Sequence, residues 1–193
     1  MTIEEIIQKT EGIFASLPPE CQLEFMNNST VRNLEKGEVV VREGQYSKKA
    51  YFILQGCSRS YYMKDGKDVS DWFAFEGEFV SPIVSFFSDK PNPHYIEFLE
   101  DSLAIEFTKD TIDMLSKKYR NFEQIITSTV TETMLNLCER LYYTQFTKAE
   151  ERYEHLLSIH PDITNRISLT HIASYLGITL ETLSRIRSAK SRI

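Results

Sequence analysis

SLTHIASYLGITLETLSRIRSAKSR, residues 168–192, carries the densest structural signal in the chain. Ser168 is an N-cap residue, whose hydroxyl can accept from a free amide of the first helical turn. Leu169, Ile172, Ala173 and Leu176 recur at three- and four-residue spacing, the stripe of an amphipathic helix. Gly177 follows the last apolar residue, where a left-handed C′ position costs glycine little. Thr179 can cap a second helix. On that helix Leu183 and Ile186 fall on one side and Glu181, Ser184, Arg185 and Ser188 on another. The pattern predicts a helix–turn–helix.

The second of those faces suits a DNA groove. An arginine can bond guanine O6 and N7 together, and a carboxylate can accept from cytosine N4. Glu181 and Arg185, one turn apart, are placed to read adjacent base pairs. The plainer alternative is a solvated helix with an i,i+4 Glu–Arg pair, worth a few tenths of a kcal/mol. The small Ala173, the turn at Gly177 and the arginine-rich end favour DNA.

Charge supports that choice once it is located. The 193 residues carry a net charge of −6, which by itself argues against a polyanionic partner. Yet residues 165–193 hold Arg166, Arg185, Arg187, Lys190 and Arg192 against Glu181 alone, a net of +4, so the remainder carries −10. An acidic body with one basic end presents only that end to phosphates. Hydrophobic residues make up 41% of the chain, enough for a substantial core. No apolar run approaches the length of a membrane span, and the acidic start lacks the basic-then-apolar order of a secretory signal. A cytoplasmic location is therefore expected. Cys21, Cys57 and Cys138 are widely separated and odd in number, and His94, His155, His160 and His171 are scattered. They suggest neither a disulfide framework nor a metal cluster, so no metal, cofactor or catalytic residue is assigned.

Upstream, Ile3, Ile6, Ile7 and Phe14 predict a short N-terminal helix, ended by Leu17-Pro18-Pro19, and Pro19 starts another running to Asn27. From Thr30 to Phe107 short β-rich runs alternate with turn residues, and Lys64-Asp65-Gly66-Lys67 marks a hairpin. The class is α+β, and the spacing favours an antiparallel sandwich or roll, with Tyr51, Phe52, Trp72, Phe73 and Phe75 as core and strand-pair aromatics. Residues 109–147 read as one long helix, with a break near Asn121 as the alternative. Phe122, Ile126, Thr129, Thr133 and Leu137 line one side of it, the side expected to face a second subunit, and Ile125, Val130, Met134, Cys138 and Leu141 a second. A helix apolar on two sides needs two partners: its own β-region and the same helix of a second subunit. Residues 148–160 form a further helix stopped by Pro161, and ITNRIS (163–168) reads as a short strand.

The order β-roll, long helix, helix–turn–helix resembles the Crp/Fnr family of bacterial transcription regulators. The motifs are LEKGEVVVREGQ (34–45), YFILQG (51–56), DGKDVSDWF (65–73), ERYEHLL (151–157) and IASYLGITLETLSRIR (172–187). The resemblance implies an N-terminal antiparallel β-roll of double-stranded β-helix (jelly roll) type over 1–108, a connecting dimerisation helix over 109–147 and a helix–turn–helix domain over 148–193. E-T-x-S-R at Glu181–Arg185 is similar to the recognition helix of the Fnr-like branch, which implies base contacts from Glu181, Ser184 and Arg185. Leu180 stands where the cyclic-AMP-responsive branch has arginine. Arg166, Thr179, Arg187, Lys190 and Arg192 are the expected DNA-backbone contacts. The implied partners are a palindromic double-stranded site, a second copy of the chain, a small-molecule effector, and RNA polymerase if the protein activates.

The effector segment departs from the cyclic-nucleotide pattern. GEFVSPIVSFF (77–87) aligns with its start, so Glu78, Phe79, Ser81, Pro82, Ser85, Phe86 and Asn92 are the expected pocket residues. Ser81-Pro82 replaces the family's Gly-Glu, and no arginine lies between Arg59 and Arg120. A cyclic phosphate there would lack its charge-assisted partner, a loss of about 2–5 kcal/mol, so cyclic AMP is not expected to bind. Two other readings stand beside this one. A degenerate member would act through protein–protein contacts alone, without salt-dependent DNA affinity. A cupin-like barrel enzyme would need clustered His and carboxylate ligands, and the β-region has only His94.

Overall fold

A computed structural model of the chain describes Phe14 and residues 16–190. The helix expected over residues 3–14 lies outside the described residues, Phe14 excepted. The described residues up to Ser60 form one compact unit with Phe73–Val130, and Tyr61–Trp72 form another with the chain from Thr131 onward.

Eight strands make up a roll, and most of its fourth and fifth strands falls in the second unit. The strands are β1 (Thr30–Leu34), β2 (Val39–Val41), β3 (Lys49–Gln55), β4 (Ser58–Lys64), β5 (Lys67–Ala74), β6 (Phe79–Val80), β7 (Tyr95–Phe98) and β8 (Ser102–Thr108). They form two four-stranded sheets, in orders β1-β8-β3-β6 and β2-β7-β4-β5. That interleaving is the jelly-roll order.

Strand β3, KAYFILQ, explains why helices must cover the first sheet. Its side chains alternate across the pleat, yet Ala50 through Leu54 are all buried. Tyr51 faces inward and meets Phe98 of the opposite sheet, centroids 6.1 Å apart. Ala50, Phe52 and Leu54 join Ile105 and Phe107 of β8 on the other face, under helices. Those helices are α1 (Pro19–Asn27), which supplies Cys21 and Phe25, α3 (Lys109–Lys118), which supplies Ile112 and Leu115, and the start of α4 (Arg120–Phe146), which supplies Phe122. A further short helix, α2 (Ile83–Phe87), puts Phe86 in the same cluster.

The expected long helix is therefore two. Thr108 caps α3 by accepting from the Thr111 amide, and the helix ends at Tyr119, which is extended at φ −126° and ψ 109°. Neither glycine nor proline causes the break. The Tyr119 hydroxyl donates to Glu24 of α1 at 2.8 Å, and the amide of Phe122 bonds the Tyr119 carbonyl. The chain leaves helical geometry at the residue that ties it to α1, and restarts so that Phe122 drops into the core.

In the second unit, Asp65 and Gly66 both have positive φ, 52° and 74°, as a type I′ hairpin turn requires. Helices α5 (Ala149–Ile159), α6 (Ile163–Arg166), α7 (Leu169–Leu176) and α8 (Leu180–Lys190) follow α4. The strand expected at ITNRIS is absent: Ile163–Arg166 is one helical turn and Ile167 is extended. Both isoleucines are buried, Ile163 to 1% and Ile167 to 3% exposure. Two buried residues four apart fit a turn of helix as well as a strand end, and the local sequence carries no alternation long enough to decide.

The α7–α8 turn follows the glycine. Ser168 accepts from the His171 amide, and Gly177 sits at φ 67°, ψ 33° with the Ile178 amide on the Ala173 carbonyl. An added Cβ at Gly177 would meet nothing within 4 Å, so only the backbone conformation demands glycine here. Gly177→Val should cost about 1–2 kcal/mol in urea denaturation, and Gly177→Asn less, because asparagine tolerates the left-handed region.

Candidate nucleic-acid interface

Helix α8 is set by a cap and an anchor. The Thr179 hydroxyl accepts from the Thr182 amide at 3.2 Å, and the two threonine hydroxyls lie 3.0 Å apart. Leu183 is fully buried, and Ile186 is half-buried. Glu181, Ser184, Arg185 and Ser188 are all exposed. The four residues assigned to a groove-reading face therefore share one solvent-facing side. Arg185 donates to the Thr182 hydroxyl at 3.3 Å, a weak tether that leaves the rest of its guanidinium fork open.

The expected phosphate contacts are less uniform. Thr179 is exposed, while Arg166 on α6 and Arg187 on α8 are half-buried. Both arginines have contacts within the chain. Lys190 closes α8, and Arg192 lies outside the described residues.

The segment expected to hold an effector is engaged by its own chain. Phe86 is 1% exposed, and Phe79 packs edge-on to Phe14 and Phe107 and at a tilt to Phe52. The Ser85 hydroxyl donates to the Ser47 carbonyl at 2.9 Å and accepts from the Ser47 amide at 3.3 Å. The Ser81 carbonyl accepts from the Ile83 amide, and Pro82 precedes α2 as its cap. Asn92, 1% exposed, donates to the His94 carbonyl at 2.6 Å. Glu78 accepts from the Phe75 amide, and burial pushes its carboxyl above the usual range. Arg59, the last arginine before the arginine-free span, is also engaged. It is buried and paired to Glu97 at 2.9 Å, a commitment that sequence reading did not find. Among the described residues no group of three or more His, Cys, Asp or Glu side chains could hold a metal ion.

The two sides of α4 separate along its length. Phe122 is fully buried in its own chain, with Ile125 and Ile126 packed against the same cluster. The first of the five residues expected to face a partner is thus occupied by its own core, because one turn after the Tyr119 break the helix still lies on the sheet. Thr129 and Thr133 are half-buried, and Leu137 is 39% exposed. The other side emerges as the exposed one: Val130 at 49%, Met134 at 55% and Leu141 at 56%. No helix among the described residues is long and apolar enough to cross a membrane.

The described residues thus comprise a jelly roll, a long helix and a capped helix–turn–helix whose second helix turns a polar side outward. Residues 31–119 match the cyclic nucleotide-binding domain family. The fumarate and nitrate reduction regulatory protein of Yersinia pestis is 27% identical over 193 residues, covering 90% of this chain and 75% of that one. The structure of FixK2 from Bradyrhizobium japonicum superposes with a TM-score of 0.71 at 19% identity, covering 83% of each chain. A transcriptional regulator of the Crp/Fnr family from Eubacterium rectale gives 0.71 at 14% identity, covering 95% of this chain and 88% of that one. In sequence the chain is thus similar to a fumarate and nitrate reduction regulatory protein, and in fold to a regulator of the Crp/Fnr family.

Thr179→Ala removes the acceptor for the Thr182 amide. It should lower stability by about 1 kcal/mol in chemical denaturation, and Thr179→Asp should restore most of it.

Proposed function

We propose that this chain is a homodimeric, sequence-specific DNA-binding regulator whose roll does not take cyclic AMP. The observation that carries the reading is the shared exposure of Glu181, Ser184 and Arg185 on a helix whose opposite side is locked inward by Leu183. Arg185 bonds a guanine, Glu181 the neighbouring cytosine, and Ser184 a base edge or methyl. Thr179, Arg166, Arg187, Lys190 and Arg192 serve phosphates, which position without specifying.

Dimerisation supplies the second reading head. Val130, Met134, Leu137 and Leu141 repeat at alternating four- and three-residue steps, the heptad seam of a two-helix contact, and all four are exposed in the single chain. Two heads about 34 Å apart would enter successive major grooves and read a palindrome. RNA polymerase becomes a partner where the bound protein activates.

The case against cyclic AMP rests on charge. The cyclic phosphate needs a free cation in the roll, and Arg59 is held by Glu97. The effector is then a different small molecule, and its differential affinity for two states of the dimer supplies the regulatory shift.

Selection from random duplexes should recover a palindrome, and no enrichment would defeat the reading. Against the recovered site, Arg185→Ala should cost about 1–3 kcal/mol and relax one base position in each half-site. Titration calorimetry with cyclic AMP should give no heat at micromolar protein, and saturable micromolar binding would overturn that part.

A further inference from the structure

Long side chains on a helix lean toward its N-terminus, over the turn below their own Cα. For Arg185 that turn offers two acceptors, Glu181 four residues back and Thr182 three. The choice between them matters to a reading face. A carboxylate and a guanidinium four apart pair with each other, and a groove that excludes water strengthens the pairing. Each group then spends on the other the bonds it needs for a base edge.

Arg185 takes the other choice. Its Nη2 donates to the Thr182 hydroxyl at 3.3 Å, and among the described residues no ion pair joins it to Glu181. Thr182 is itself held. Its amide donates to the Thr179 hydroxyl at 3.2 Å, and the two hydroxyls lie 3.0 Å apart. A threonine hydroxyl offers one hydrogen and two lone pairs, so Thr182 can give its hydrogen to Thr179 and still accept from Arg185. Threonine has two χ1 wells open in a helix, and the bond to Thr179 selects one, which fixes the acceptor in place. The acceptor is also neutral. It holds a guanidinium without cancelling its charge, and at 3.3 Å the bond is long enough to yield to a guanine.

We infer that Thr182 is a positioning residue for base reading. It holds Arg185 off Glu181, so that cation and anion both stay available to the groove. This inference rests on the DNA-reading proposal and adds the residue that keeps the two readers apart.

The test compares two variants of the full chain. Thr182→Val keeps the branched Cβ and removes the hydroxyl, and Thr182→Ser keeps the hydroxyl. Circular dichroism and sedimentation establish that fold and mass are kept. The first readout needs no DNA: nuclear Overhauser contacts of the Arg185 side chain should run to Thr182 in the unmodified chain and move to Glu181 in Thr182→Val. The second is discrimination at the two base pairs assigned to Arg185 and Glu181 in the selected palindrome. Thr182→Val should lose about threefold of it in each half-site, the scale of one exposed charge pair gained within a helix, and Thr182→Ser should retain it. Affinity for unrelated duplex should be unchanged. The third uses Glu181→Ala, which removes the competing carboxylate. In that background Thr182→Val should no longer lower discrimination at the guanine position. An Arg185 that stays clear of Glu181 in Thr182→Val overturns the inference, as does an equal penalty with and without the Glu181 carboxylate. A loss spread evenly over all sequences, unrelated duplex included, also overturns it, since that marks the hydroxyl as a phosphate contact. If the unmodified chain selects no palindrome, DNA reading itself fails, and the nuclear Overhauser arm alone decides whether Thr182 holds Arg185 off Glu181.

Discussion

Leu183 is the contact on which the interface depends. A helix turns by roughly 100° per residue, so fixing one side chain inward fixes the bearing of every other. With Leu183 fully buried, Glu181, Arg185 and Ser188 fall on the far side and Ser184 about a quarter-turn away. The Gly177 turn sets where the helix begins, and the Thr179 cap closes its first turn. Substituting any one of the outward residues leaves this frame intact. Removing Leu183 would rotate or unseat the whole face.

The first unit works under a different constraint. A sheet whose both faces are buried must be covered twice, and β3 shows five consecutive buried residues between two exposed ends. The aromatic side chains of α1, α2 and α4 meet that demand on the outer face. The segment expected to hold an effector is drawn into the same packing here. Phe86 fills core volume, and Ser85 and Asn92 bond backbone groups of their own chain. Paired with Glu97, Arg59 has already spent its charge-assisted bonds on the protein.

How much of this was legible in the sequence follows the range of the interactions. The caps at Ser168 and Thr179, the αL glycine at 177, the Asp65-Gly66 turn and the inward Leu183 are set by residues within four positions of each other, and all could be read. The break at Tyr119 could be placed only to within two residues, because its cause is Glu24, some hundred residues earlier. The isoleucines of ITNRIS suggested a strand, since buried β-branched residues serve a helical turn equally well once tertiary packing needs them. Phe122 read as a partner-facing residue because periodicity gives a stripe and not what covers it. For the same reason nothing in SRSYYMKDGKDVSDWF announced that its tip would meet α7 through Ser70 and Asp68.

The two sides of α4 bring these threads together. Its first turn is held by Phe122 in the core of one unit, and its later residues belong to the other. Scattered exposed hydrophobics are ordinary on a protein surface. Val130, Met134, Leu137 and Leu141 are not scattered, because they keep a heptad register through three turns of a single helix. Left in water, that stripe disfavours the lone chain, and covering it with its own copy costs no new surface design, since a two-fold contact is self-complementary. The same helix then carries Arg140 to the hairpin and the reading domain. In the proposed dimer, pairing of the two chains and presentation of the two reading helices are then constraints on one rod, and a ligand that altered how α4 packs in the first unit would act on the second only through the free-energy difference between two arrangements of that rod.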